Sequence, residues 1–338
     1  MSTPTNANLE ARAAWSVLTE PGDTVAGGLV AAFGYAEALT ALENPAACIT
    51  AIMDADAAST QEEAATAVQR WLPRMNSRTL DFALREASRH GIQMLDPDAV
   101  PGVADLGILA PHVLWVRGDL GAAVTPLSSK IALVGARAAT NYGDQVTREL
   151  TTDLVGRGIT IVSGAAYGID ATAHRAALWN DGHTIAWLAN GVDRAYPAGN
   201  RDLIDRIATH AGCAVISEIP PGSAPTRHRF LSRNRLVAAT AAATVVVEAG
   251  WRSGSLTTAN HAAILGRGLG AVPGPISSPA SSGCHRLIRQ CEAQIVTGPD
   301  DAYELLSPAP AGRSLATDAQ NAGTRSVRFA NWAATPAT

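Results

Sequence analysis

The sequence predicts an α/β protein: a doubly wound, mostly parallel sheet with helices on both faces, preceded by a small all-helical module. Three observations carry that expectation. From Lys130 onward, short apolar runs recur with helical segments between them, at intervals of about 25–30 residues that suit βαβ units. Those runs are continuously apolar instead of alternating, as strands covered on both faces are. Residues 9–91, by contrast, carry apolar positions at helical spacing, Leu29, Val30 and Phe33 among them.

The elements follow in order. The helical module is assigned to 1–95. Ala-rich amphipathic stretches begin at Ala36 and Gln61, and Glu20-Pro-Gly-Asp-Thr leading to Phe33-Gly34 has the form of helix, glycine turn, helix. Such a turn can present backbone N–H groups to a phosphate, but the expectation here is a packing corner. Residues 96–129 are rich in Pro, Gly and Asp and hold one apolar run, Val113-Leu114-Trp115-Val116; they read as a linker with an added strand. The α/β domain is assigned to 130–306, with strands at 131–134, 160–162, 184–188, 214–216, 244–247 and 269–272 and helices at 144–156, 171–180 and 200–211. Residues 307–338 turn to Ala, Thr, Ser, Pro and Gly without periodicity and are expected to be disordered.

Composition narrows the function classes. A net charge of −4 over 338 residues argues against a global basic field, so any polyanion site must be a local patch. Lys130 is the only lysine. That excludes a Gly-Lys-Ser/Thr phosphate loop and leaves one candidate for Schiff-base chemistry. The N-terminus lacks the basic-then-apolar pattern of a signal peptide, and the longest uncharged apolar run, 236–247, is too short to span a bilayer. Cys48, Cys213, Cys284 and Cys291 are scattered without Cys-x-x-Cys spacing. The expectation is a cytoplasmic protein with no disulfide scaffold, no metal or other cofactor, and no membrane partner.

Three loops follow expected strands at their C-terminal ends, where open α/β sheets bind ligands. The first is Gly135-Ala-Arg137-Ala-Ala-Thr-Asn-Tyr142-Gly143. Gly135 lets the backbone approach an anion, Arg137 adds a planar positive fork, and the helix starting near Asp144 offers N–H groups. It is not Gly-x-Gly-x-x-Gly, and no acidic residue ends the second strand to hold a ribose, so a dinucleotide site is disfavoured. The second loop, Ser163-Gly164-Ala-Ala-Tyr167-Gly168-Ile-Asp170 with His174 beyond, suits another N–H cradle with Asp170 as helix cap. Ser163, Asp170 and His174 invite a hydrolase triad, but Ser163 lacks the Gly-x-Ser-x-Gly elbow. In the third loop, Ser253-Gly254-Ser255 stands before a helix as a phosphate-type nest or an ordinary cap.

Charge is the most physical clue. No Asp or Glu occurs from Ile219 to Val247, yet Arg227, Arg229, Arg233 and Arg235 fall within nine residues, with His228, Phe230 and Asn234 interleaved. Such a cluster needs a partner. A phosphate chain suits the guanidinium groups and a base can stack on Phe230, whereas carboxylates elsewhere, such as Glu218 and Glu248, would make it an internal network. Asn234 is counted with this DNA-binding stretch, as a structural hydrogen-bonder within it more than as a base reader.

Taken in order, these motifs resemble the DNA-processing protein A family (DprA/Smf). They are Gly135-x-Arg137 with Tyr142-Gly143, Ser163-Gly-x-Ala-x-Gly-Ile-Asp170 with His174, Gly191-x-Asp193-x-x-Tyr196-Pro197 with Asn200, Ser217-Glu218-x-Pro220, Phe230-x-x-Arg233-Asn-Arg235, Glu248-Ala with Ser253-Gly-Ser-Leu and Thr258-Ala259, Pro273-Gly274, and Gly283 with Leu287-Ile288. The match runs from Lys130 to Val296. The N-terminal stretch, with Trp15-x-x-Leu18 and Phe33-Gly34, is similar to that family's helical module, of sterile-alpha-motif or helix–hairpin–helix type. The resemblance implies an extended Rossmann fold that binds single-stranded DNA in a basic pocket, a homodimer, and delivery of incoming DNA to RecA recombinase in natural transformation, as a competence protein and not an enzyme. It implies that Arg137 contacts DNA and that 227–235 is the basic strand-binding region.

The chain also departs from the pattern. Ala198 follows Tyr196-Pro197 where a basic residue is frequent, and His285 stands where Asn is common. The residues after Leu306 are too few for the winged helix that many relatives carry. Two other functions remain open. One is a nucleotide phosphoribohydrolase of the lysine-decarboxylase-like group, although that group's catalytic glutamate aligns with Thr258, whose hydroxyl cannot do a carboxylate's work. The other is a small-nucleotide sensor using the same loops without hydrolysis.

Overall fold

The structure is a computed structural model that describes residues 6–307. All of the expected disordered tail except Ser307 lies outside the described residues. In chain order the helical part comprises α1 (Asn6–Leu18), α2 (Thr24–Phe33), α3 (Tyr35–Leu42), α4 (Pro45–Asp54), α5 (Gln61–Trp71) and α6 (Ser77–Arg89). Next come β1 (Gln93–Leu95), β2 (Leu114–Gly118), α7 (Leu120–Ala123), β3 (Lys130–Val134), α8 (Asn141–Gly156), β4 (Thr160–Ser163), α9 (Ile169–Trp179) and β5 (Thr184–Trp187). The chain continues with α10 (Arg201–Thr209), β6 (Ala214–Ser217), α11 (Arg227–Ala239), β7 (Ala243–Val246), α12 (Ser255–Ile264), β8 (Gly268–Ala271), α13 (Ser282–Gln290), β9 (Gln294–Ile295) and α14 (Pro299–Glu304).

These elements form two compact units, one of Met1–Thr125 with Ile185–Arg233 and one of Pro126–Thr184 with Asn234–Thr338. Residues 130–306 are thus divided between them. Within the units five strand pairings are parallel and two antiparallel, in keeping with the expected mostly parallel α/β class.

The first unit is helical at its N-terminus. Trp15, Leu29, Leu42, Ile52, Val68 and Trp71 are buried in one apolar cluster, and the rings of Trp15 and Trp71 meet edge to face at 5.3 Å between centroids. Gly22 takes φ 75° between α1 and α2, and Asp23 caps α2 by accepting from Ala26 N. The other Asp23 carboxylate oxygen accepts from Trp71 Nε1 at 3.0 Å. Ala26 N at the head of α2 is therefore served by a resident carboxylate, and the corner packs helices as expected. The same unit carries strands in the order β1-β2-β6-β5, with Met94 opposite Trp115 and Trp115 opposite Ser217 in antiparallel register and β5 parallel to β6. Strand β2 realises the expected added strand; β1, only three residues long, gave too short a pattern to be read. Around them the expected linker is packed: 3₁₀ turns at Pro97–Ala99 and Ala104–Leu109 flank buried Val100 and Val103.

The second unit holds β4-β3-β7-β8-β9, all parallel, with Ile131 beside Ile161 and Ala243, and Val245 beside Gly270. Its core joins Ile131, Leu133, Ile161 and Val245 to Leu150 and Leu154 of α8 and Ala173 and Ala177 of α9. No single helix among the described residues is long and apolar enough to cross a membrane, and the one bent pair that passes by composition, α2 with α3, supplies buried residues of the helical cluster.

Candidate functional site

Parallel strands end at the same side, so the loops after β3, β4, β7 and β8 share one edge of the second unit. Their backbones interlock. Gly168 has φ 72°, and a Cβ there would collide with the carbonyl oxygens of Ala136 and Arg137. Only glycine lets the second loop lie this close to the first. Ile169 N then donates to Ala136 O at 3.2 Å.

Two buried carboxylates hold these loops. Glu248, just after β7, accepts from Thr140 N at 2.9 Å and Thr140 Oγ1 at 2.6 Å, and Thr140 Oγ1 accepts from Gly143 N at the start of α8. Helix α8 therefore begins at Asn141, earlier than expected, with a resident anion beside its N-terminus. Of the N–H groups at this helix start, Gly143 N is taken by Thr140 Oγ1 and Asp144 N by Thr140 O. Asp170 does not cap α9. It lies inside the helix's first turn and reaches back to accept from Gly164 N at 3.1 Å and Ala166 N at 3.4 Å.

The cradle expected at Ser163-Gly164 is thus filled by the chain's own carboxylate. Ser163 is fully buried and its hydroxyl donates to Leu133 O at 2.6 Å. These two residues position the loop instead of facing a ligand. The triad reading fails on the same contacts. His174, also buried, pairs Nδ1 with Thr184 Oγ1 at 2.7 Å, and that hydroxyl already donates to Ile161 O. The imidazole therefore donates from Nδ1 within the core.

At the rim the picture is more open. Arg137 is exposed and Gly135 half-buried. Gly254 is exposed, Ser253 and Ser255 pair their hydroxyls at 2.8 Å, and Asn234 Nδ2 donates to Gly254 O at 3.2 Å. Asn234 is therefore the structural hydrogen-bonder expected, tying α11 to this turn. Arg235, on α11, is 3% exposed, and its charge together with burial pulls His261 down to about 4, burial being the larger cause. Thr258, where the hydrolase group carries its glutamate, is buried in α12.

Several other chemical candidates are set aside by position. Lys130 opens β3, at the opposite end from these loops, and burial lowers its ammonium to about 8. Burial pushes the Cys284 thiol up to about 12 and Cys291 to about 11, while His285 Nε2 pairs with Gly274 O at 2.9 Å. Among the described residues no group of three or more His, Cys, Asp or Glu side chains is placed to hold a metal ion.

In the first unit, the arginines of α11 separate by role. Arg227 is exposed. Arg229 donates Nε to Glu20 Oε2 at 2.9 Å and Nη2 to Glu20 Oε1 at 3.0 Å. Arg233 is 5% exposed and donates Nη1 to Trp187 O. The expectation of four arginines presented together to a phosphate chain is therefore corrected. Burying guanidinium groups requires carbonyl or carboxylate partners, and distant parts of the chain supply them. Phe230 is half-buried against Tyr196, with ring centroids 5.6 Å apart.

Sequence reading missed the aromatic rim of the second unit. Tyr142 in the first turn of α8, and Tyr167 and Trp251 in the loops after β4 and β7, are 40, 47 and 51% exposed, Tyr142 donates to Pro273 O, and the Arg286 guanidinium lies 4.5 Å from the Trp251 ring centroid. Their place within ten residues of the end of an expected strand was the available signal.

Comparison with known proteins adds to this geometry. Residues 100–307 match the family model described as DNA recombination-mediator protein A. A Mycobacterium tuberculosis protein carrying the DprA name is 52% identical over 198 residues, covering 58% of this chain and 50% of the relative. The DNA processing protein DprA of Streptococcus pneumoniae is 40% identical over 195 residues, 56% of this chain and 66% of that one. The chain spans about half the length of the first of these. Among solved structures, the Streptococcus pneumoniae DNA processing protein A superposes with a TM-score of 0.67 at 30% identity, over 90% of this chain and 98% of that one. The Helicobacter pylori DNA processing protein A, solved for its single-stranded DNA binding mode, gives 0.58 at 30% identity, over 65 and 97%.

Proposed function

The chain belongs to the DNA recombination-mediator protein A family, and from that premise we propose that it binds single-stranded DNA and delivers it to a RecA-type recombinase, without acting as an enzyme. The observation that carries this reading is the rim of the second unit, where exposed Arg137 shares an edge with exposed Tyr142, Tyr167 and Trp251. A guanidinium fork suits a phosphodiester, and aromatic faces suit bases of any sequence. Gly135 and Ser253-Gly254-Ser255 let a sugar-phosphate chain come close. In the first unit Arg227 and Phe230 bring the same two chemistries. Ser163, Gly164, Arg233, Asn234 and Arg235 position these elements from within. The Helicobacter pylori relative's single-stranded DNA binding supports the choice of polymer. A cytoplasmic homodimer acting in natural transformation completes the proposal, on the family resemblance.

Fluorescence anisotropy with a labelled oligo-dT across a salt series tests it. Binding is expected to weaken with salt by a slope of about 0.7 per phosphate contacted. Arg137→Ala should cost about 1–3 kcal/mol and flatten that slope. A wild-type chain with no preference for single over double strands at moderate salt would overturn the reading. RecA-filament formation on the same oligonucleotide, with and without the protein, reads the delivery step.

A further inference from the structure

Glu20 stands in the turn after α1, Arg74 ends the 3₁₀ turn Leu72–Arg74 that follows α5, and Arg229 lies in the first turn of α11. All three belong to the first unit. Arg229 grips Glu20 through two parallel bonds, Nε to Oε2 at 2.9 Å and Nη2 to Oε1 at 3.0 Å, and Arg74 Nη2 adds a third to Oε1 at 3.0 Å. Arg229 Nη1 and Arg74 Nη1 are oriented by the carbonyls of Ala224 and Leu18. The group edges a cavity of about 230 Å³ that is also lined by His112 and Ser223. Burial by itself would raise the Glu20 carboxyl, but the hydrogen bonds and charges of Arg229 and Arg74 outweigh it and hold it below the ordinary carboxylate value.

Two guanidinium groups share this one carboxylate; of the other acids lining the cavity, Asp23 is paired with Arg70 and Trp71 Nε1, and Glu218 is buried. The two-point fork that Arg229 offers Glu20 is also the geometry with which arginine receives a phosphodiester. We propose that Arg74 and Arg229 form a phosphodiester subsite in which Glu20 is the resident anion, displaced when a strand phosphate arrives. The helical module then takes part in strand binding through Arg74, and Glu20 sets how strongly. This rests on the single-stranded DNA reading above.

The test is the same oligo-dT titration on four full-length chains: wild type, Glu20→Gln, Glu20→Gln with Arg229→Ala, and Glu43→Gln as an exposed-acid control that removes the same charge. Glu20→Gln is expected to tighten binding threefold or more at low salt and to steepen the salt slope by about 0.7 for each phosphate gained. Arg229→Ala should erase the gain, and Glu43→Gln should match wild type. If wild type binds and a folded Glu20→Gln binds equally or less tightly, or if Glu43→Gln gives the same gain, this inference alone is overturned. If wild type does not bind single strands, the function reading falls and this one with it. Should Glu20→Gln not fold, Arg74→Ala decides: a two- to fivefold loss of affinity supports the subsite, and no loss overturns it.

Discussion

Trp251 is half exposed at the rim of the second unit, and the Arg286 guanidinium 4.5 Å from its ring centroid is held in turn by Gln290. An indole backed by a fixed cation is a rigid platform, and stacking a base on such a ring is worth about 1–3 kcal/mol by alanine substitution. Trp251→Ala should weaken oligo-dT binding by about that amount while leaving the salt slope unchanged, because no phosphate contact is lost. A changed slope at unchanged low-salt affinity would sink the stacking role. At this scale the sequence was half legible. The arginine cluster announced its need for partners through an acid-free stretch, but not which partners. Trp187 O lies 46 residues from Arg233 and Glu20 lies 209 residues from Arg229, and no local pattern encodes such pairings. Arg137 was legible because its contacts with solvent depend on a loop position that strand periodicity already located.

Elements were read more fully, for a physical reason: strands covered on both faces leave contiguous apolar runs, and those runs fall within a residue or two of β3 to β8. Helix starts were less legible where a distant group sets them. Helix α8 begins at Asn141 since Thr140 is fixed by Glu248, 108 residues further on. The junction of the first two strand-end loops rests on Gly168 in the same tertiary way, so it offers a test of how the edge is assembled. In Gly168→Ala the residue would have to keep φ 72° and place its Cβ against Ala136 O. The left-handed conformation alone costs roughly 1–2 kcal/mol, and the collision would push the two loops apart. Urea unfolding should show a loss of about 2 kcal/mol or more, accompanied by weaker oligo-dT binding as Arg137 is displaced with its loop. A variant that is destabilised yet binds with full affinity would mean that the two loops do not act as one surface.

Across the molecule, stability itself carries a signature of how the basic residues are housed. Burial, with the Arg235 guanidinium adding to it, holds His261 at about 4 against an ordinary 6.5. Between those values the folded chain keeps this imidazole neutral while the unfolded chain takes up a proton. The unfolded state therefore binds more protons over that window, and stability rises with pH there. The contribution should be fully present above about pH 6.5, lost progressively as pH falls toward 4, and constant below. A shift of this size corresponds to at most about 3 kcal/mol. Glu20, held below the ordinary carboxylate value by its arginines, loses its contribution in the same direction but only at the acid end, as pH falls through its depressed pKa. The two are separated by replacing the imidazole: His261→Gln should flatten the rise of the urea midpoint between pH 4 and 6.5 and leave the acid limb in place. An unchanged profile in His261→Gln would mean that the imidazole is hydrated in the folded chain and that Arg235 does not press on it.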